Sequence, residues 1–225
     1  LLASLRLLKS TDSIDLQLNE QFDYAHILYK KGLFLQSLRI IEKAKELARG
    51  SQKFIHLTQL IALEKRIETL HITRSNLEKV DRLSAEALEI STRTTNIIQL
   101  SSLALQLYSW YIKNGHSRNP EDETGIREFF ATNLPAHATE MNGFYEKLYL
   151  YQSFCMYAFI RQDFIMYYRY AQKWVNLFDD EPALIRVETG HYIKGLHNLL
   201  NAHFDLRNFQ LFEKVLNQFE AFSKT

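Results

Sequence analysis

Glu188-Thr189-Gly190-His191 spaces a carboxylate and an imidazole as Glu-x-x-His, the ligand pair that di-iron carboxylate bundles carry on a helix. Such a centre needs a second pair of the same kind and two further glutamates, and His137 with Glu140 runs in the reverse order. His191, His197 and His203 recur at every sixth residue. A step of six turns a helix by about 240°, so the three rings point in different directions and cannot share an ion. No metal and no other cofactor is expected. Cys155, the single cysteine, lies between Phe154 and Met156 and reads as a small buried hydrophobe. Nucleophilic catalysis has no handle, since neither a Gly-x-Ser-x-Gly elbow nor a His-Glu-x-x-His pair occurs. The expectation is a chain that is not an enzyme.

The elements that would carry these residues are helices. Apolar residues recur at steps of three and four, as in Leu57, Leu60, Ile61, Leu63, Ile67 and Leu70, or Leu83, Ala87, Leu88 and Ile90. Sustained period-two alternation is missing, which argues against strands. Start signals agree with the periodicity. Ser75-Asn76-Leu77-Glu78 fits a capping box, and Asn119-Pro120-Glu121-Asp122 supplies a cap, a proline at the first helical position and early acids; Asp180-Glu181-Pro182 repeats the pattern. The spacing predicts helices over residues 1–9, 14–31, 33–49, 53–72, 76–92, 95–113, 121–132, 141–160, 163–178, 183–204 and 208–223.

Composition sets the class. Of 225 residues, 46% are hydrophobic and 24% charged, enough to bury a continuous core and too apolar for a disordered chain. Lys and Arg number 27 against 26 Asp and Glu, with basic residues grouped only in pairs such as Lys30-Lys31. Nucleic-acid binding draws on a basic excess, so it is not expected. No apolar run reaches the roughly 18 residues of a membrane span, and no membrane insertion is expected. The start of the chain does not read as a signal peptide, and a cytoplasmic location follows as the expectation.

Large apolar residues stand just after turns at Phe34, Leu77, Phe164 and Phe209, with steps of 43 residues from Phe34 to Leu77 and 45 from Phe164 to Phe209. Regular spacing of this order marks stacked helical hairpins, each unable to bury its apolar face alone. The stretch from Tyr29 through Gly32, Phe34, Ser37 and Leu38 to Ile41, Ala44 and Leu47 resembles the tetratricopeptide-repeat core. Gly32 takes the place of its turn glycine, Phe34 its aromatic, and Ala25, Ser37 and Ala44 its small residues at the helix crossing. Arg161-Gln162-Asp163-Phe164 and Leu206-Arg207-Asn208-Phe209 resemble the same turn more loosely, with Tyr167 and Phe212 at the crossing, and a wider helix spacing is expected there.

The resemblance implies an all-α array of about five stacked antiparallel hairpins, a right-handed solenoid, over the single domain 1–225. Residues 1–9 would end a preceding repeat, so the chain is expected to belong to a longer one. The family's concave face, carried over by register, falls on Asn19, Phe22, His26, Tyr29 and Lys30, then Lys65 and Thr69, then Gln152 and Met156, then Lys194, His197 and Asn201. A polar and aromatic groove of this kind suits a protein or peptide partner, and a small-molecule ligand is not expected. The alternative is a sensory or structural region of a larger regulator with its effector domain upstream. Tyr149, Tyr151, Tyr167, Tyr168 and Tyr170 cannot all face one core, so an exposed tyrosine cluster is expected as well. The polar loop 114–125 is a further candidate for recognition.

Overall fold

The computed structural model describes residues 13–71 and 77–223. Among them the chain is all-α, with ten α-helices and no strand. In chain order the helices are α1 (Ile14–Lys30), α2 (Phe34–Gly50), α3 (Phe54–His71), α4 (Leu77–Asn114) and α5 (Pro120–Asn133). After a 3-10 turn at Ala138–Glu140 follow α6 (Phe144–Ile160), α7 (Phe164–Asp180), the short α8 (Leu184–Val187), α9 (Thr189–Asp205) and α10 (Phe209–Ser223). The expected tail helix at 1–9 and the capping box from Ser75 lie outside the described residues. No described helix is long and apolar enough to cross a membrane.

Two compact units divide the chain, Leu1–Thr94 and Thr95–Thr225, and the division falls inside α4. In the first unit α1 packs on α2, α2 on α3, and α1 also on α3. The α1–α2 crossing uses the small residues anticipated from sequence. Ala25, Ser37 and Ala44 are all buried, and the Ser37 hydroxyl donates to the Ala25 carbonyl at 2.7 Å. A larger residue at any of the three would push the helices apart.

One turn recurs four times. A single residue adopts a left-handed conformation at Gly32 (φ 74°), Gln52 (φ 54°), Gln162 (φ 56°) and Arg207 (φ 56°). The next amide then closes over the helix end: Leu33 N to Leu28 O, Lys53 N to Ala48 O, Asp163 N to Ala158 O and Asn208 N to His203 O, at 2.8–3.0 Å. This is the six-to-one hydrogen bond of a Schellman cap, which satisfies a carbonyl the helix would otherwise leave bare. A phenylalanine opens the following helix each time, at Phe34, Phe54, Phe164 and Phe209. Phe54 was not among the aromatics singled out by the repeat spacing. Their packing is uneven, because Phe54 is buried whereas Phe164 and Phe209 are exposed, and those two do not fill the wedge beside the turn.

In the second unit α6 packs on α7, α7 on α9, and α9 on α10. Their shared core holds Leu148, Ala158, Ala171, Trp174, Phe178, Leu196 and Ala202, all essentially without exposed surface. Tyr167 is buried at its crossing, and where α9 meets α7 a Cβ on Gly195 would stand 3.2 Å from the Trp174 indole. Gly195, which looks out of place in a helical stretch of sequence, is thereby explained by packing. A second cluster joins Leu103 and Leu107 of α4 to Ile126 and Phe130 of α5 and Tyr157 and Ile160 of α6.

Three expectations need correction. The helices expected at 76–92 and 95–113 are one continuous helix, α4. The run Ser91-Thr92-Arg93-Thr94-Thr95 is poor in helix formers, but Thr92 and Thr94 turn their hydroxyls back onto the Leu88 and Ile90 carbonyls at 3.0 and 2.8 Å, and the helix passes through. The helix expected at 183–204 is broken at Glu188, whose backbone (φ −120°, ψ 41°) leaves the helical region and whose carboxylate accepts the Tyr145 hydroxyl at 2.6 Å. The exposed tyrosine cluster does not form: Tyr167 is buried and Tyr149, Tyr151, Tyr168 and Tyr170 are half-buried. Their rings find other rings, with Tyr170 stacked on Phe154 at 4.2 Å and Lys173 lying over both Tyr151 and Tyr170.

Candidate functional site

Four helices of the second unit line an open recess of about 250 Å³. From α4 come Ala104, Tyr108 and Tyr111; from α6, Gln152, Cys155, Met156 and Phe159; from α7, Tyr167 and Trp174; from α9, Lys194, His197, Asn198 and Asn201. Within each helix these positions differ by one, three, four or seven and span no more than two turns, so each set lies on one side of its helix.

The lining combines an apolar body with a polar side. Asn198 accepts the Tyr167 hydroxyl at 3.1 Å, and the Asn201 amide lies 3.4 Å from His197 Nδ1. Burial, with a smaller contribution from Cys155, pushes the Tyr167 hydroxyl up, and burial does the same to the Cys155 thiol. Both therefore stay neutral near pH 7, the phenol as a donor and the thiol as an inert wall. Two buried polar atoms of lining residues, Gln152 Oε1 and Trp174 Nε1, have no hydrogen-bond partner among the described residues. Leaving such a group unmatched costs on the order of 1–3 kcal/mol. Lys194 forms no ion pair among the described residues, and no carboxylate lines the cavity.

The residues anticipated for a binding face divide in two. Gln152, Met156, Lys194, His197 and Asn201 come together in this one cavity. The others belong to the first unit. On α1, Phe22, His26 and Tyr29 form a row with ring centroids 6.1 and 6.2 Å apart, continued to Phe34 at 5.9 Å, with Asn19 and Lys30 exposed beside it. Lys65 and Thr69 are exposed on α3, where the Thr69 hydroxyl donates to the Lys65 carbonyl at 2.7 Å. Sequence reasoning missed Tyr108, Tyr111, Phe159, Trp174 and Asn198. Tyr108 and Tyr111 carried a usable signal, a spacing of three that puts both rings on one side of a helix.

A second cavity, of about 350 Å³ in the first unit, is lined by charges. Lys45, almost wholly buried, reaches Glu64 at 2.7 Å and Glu86 at 2.8 Å; Arg49 also pairs with Glu86, and Lys79 with Glu68. These groups answer one another, which makes the cluster a structural joint between α2, α3 and α4. The loop before α5 is docked as well. His116 Nδ1 lies 2.9 Å from the Phe159 carbonyl, Ser117 N donates to the Ile160 carbonyl at 2.9 Å, and Arg161 pairs with Glu123 at 2.7 Å. The Glu-x-x-His spacing of Glu188 and His191 recurs in the sequence at Glu68 and His71, and no group of metal-ligating side chains gathers among the described residues.

The fold and the cavity define an all-α protein of helices packed on their chain neighbours, with a ring-lined recess between them. No protein-family model, curated protein or solved structure matches the chain.

Proposed function

We propose that the chain is a non-enzymatic binding module of the tetratricopeptide-like kind, a right-handed helical solenoid that holds a segment of a partner protein or peptide against the first helices of its hairpins. One observation carries the reading. Five residues chosen only by their register from the turns, Gln152, Met156, Lys194, His197 and Asn201, converge on one recess. Support also comes from the repeated Schellman turn with its trailing phenylalanine, and from the Ala25, Ser37 and Ala44 crossing. Amides, an ammonium and aromatic rings on one face offer hydrogen bonds and apolar area without any bond being made or broken.

The test is a peptide array probed with the wild-type chain and with a Gln152→Ala, Asn201→Ala double variant whose far-ultraviolet spectrum is unchanged. A set of peptides bound by the wild type and weakened about tenfold or more in the variant supports the module. Identical binding patterns for the two proteins would refute it.

A further inference from the structure

Sequence alone offers no reason to expect a small-molecule ligand, but the recess in the second unit does. We propose that it is a pocket for a small free carboxylic acid carrying one aromatic ring system. The proposal deepens the binding-module reading, on which it rests, by naming what fills the cavity itself.

Size is the first argument. A volume of about 250 Å³ lies just under the roughly 300–1,000 Å³ usual for small-molecule sites. It has room for a ring with a short tail. An extended polypeptide advances about 3.3 Å per residue and brings an N–H and a C=O at every step, each of which needs a partner. A recess this small takes the end of such a segment, and not several residues of it.

The walls give the second argument. Tyr108, Tyr111 and Phe159 present rings on which a planar apolar group gains stacking as well as burial. The wholly buried Trp174 lines the same space, and its indole N–H lacks an acceptor among the described residues.

Charge is the third. Lys194 is a cation in the lining without an ion-pair partner among the described residues, and the lining contains no carboxylate. An anion is therefore attracted, and an ammonium repelled. The carboxylate whose field reaches this wall, Asp205, acts on Tyr167 and lines no part of the recess.

Trp110 and Trp174 are the only two tryptophans, so Trp110→Phe makes the indole at the cavity the sole tryptophan emitter. In that background the whole chain is titrated with 3-phenylpropionate, its primary amide and 3-phenylpropylamine. The acid should give a saturable change in Trp174 emission at millimolar concentration or below, the amide should bind about tenfold more weakly, and the amine should give none. Adding Lys194→Met should bring the acid down to the level of the amide while leaving the amide unchanged, which a general loss of folding would not do. No saturable response to the acid, equal affinity for acid and amide, or an equal loss of both in the Lys194 variant would overturn the proposal. A response to a peptide ending in phenylalanine with none to 3-phenylpropionate would also overturn it, while leaving the binding-module reading in place.

Discussion

Replacing Lys45 by methionine should destabilise the first unit by about 3 kcal/mol, at the lower end of the range of roughly 3–5 kcal/mol for breaking a buried ion pair. The ammonium is almost wholly buried, 2.7 Å from Glu64 Oε2 and 2.8 Å from Glu86 Oε2. Glu64 is itself buried, so removing the lysine strands a carboxylate away from water. Two features hold the loss to the low end: Lys79 stands 4.0 Å from Glu64, and Arg49 still pairs with Glu86. Converting Glu64 to leucine together with Lys45→Met removes the stranded charge, and that double variant should recover to within about 1 kcal/mol of the wild type. The assay is urea unfolding followed by far-ultraviolet ellipticity, because both tryptophans belong to the second unit and indole emission does not report on the first. Acid dependence gives a second reading. Burial pushes the Glu86 carboxyl up, but hydrogen bonds from Lys45 and Arg49 outweigh it and hold the group below the ordinary carboxylate range. Its stabilisation is thus complete above the ordinary value of about 4.3 and is lost as the pH falls through the lowered one. In Lys45→Met this loss should be smaller and should be complete at a higher pH. A single variant costing less than about 1 kcal/mol, or a double variant as unstable as the single, would show that the triad does not hold α2, α3 and α4 together.

Gly195→Ala should destabilise the second unit by about 1–2 kcal/mol despite alanine's better helix propensity, because the new methyl meets the Trp174 indole at 3.2 Å; thermal unfolding and a shift in tryptophan emission check it. Gln162→Gly should stabilise by about 0.5–1 kcal/mol, since a left-handed φ of 56° strains any residue with a Cβ, and denaturant midpoints will show it. Cys155 should react with a thiol reagent far more slowly than a free thiol near pH 7 and at the ordinary rate in denaturant, because burial both shields the sulfur and pushes its ionisation up. Fast labelling of the native chain would mean that the cavity floor opens.

Helix content was plain in the sequence because apolar residues at three and four leave little choice of period. The first hairpin was legible in detail, since Ala25, Ser37 and Ala44 are small for reasons that any tight crossing shares, and Gly32 meets the left-handed turn. What stayed hidden depended on contacts that spacing does not encode. Gln52 and Arg207 give no hint of a left-handed turn, because the favourable closing hydrogen bond, not the side chain, puts them there. The threonine run in α4 looks like an interruption until its hydroxyls are seen to bond backward. Five of the thirteen residues lining the candidate site were found by register from the turns. Its aromatic wall, Tyr108, Tyr111 and Trp174, was not, because ring-rich segments read as core until the cavity beside them is visible.

The four Schellman turns carry a consequence for how the molecule comes together. Each joint is closed by neighbours only five positions apart, so a hairpin can form as it is made without waiting for distant sequence. Assembly can then proceed by accretion, one bend at a time, and three-residue bends such as Lys31-Gly32-Leu33 and Arg161-Gln162-Asp163 become exchangeable parts for anyone wishing to lengthen or shorten the chain.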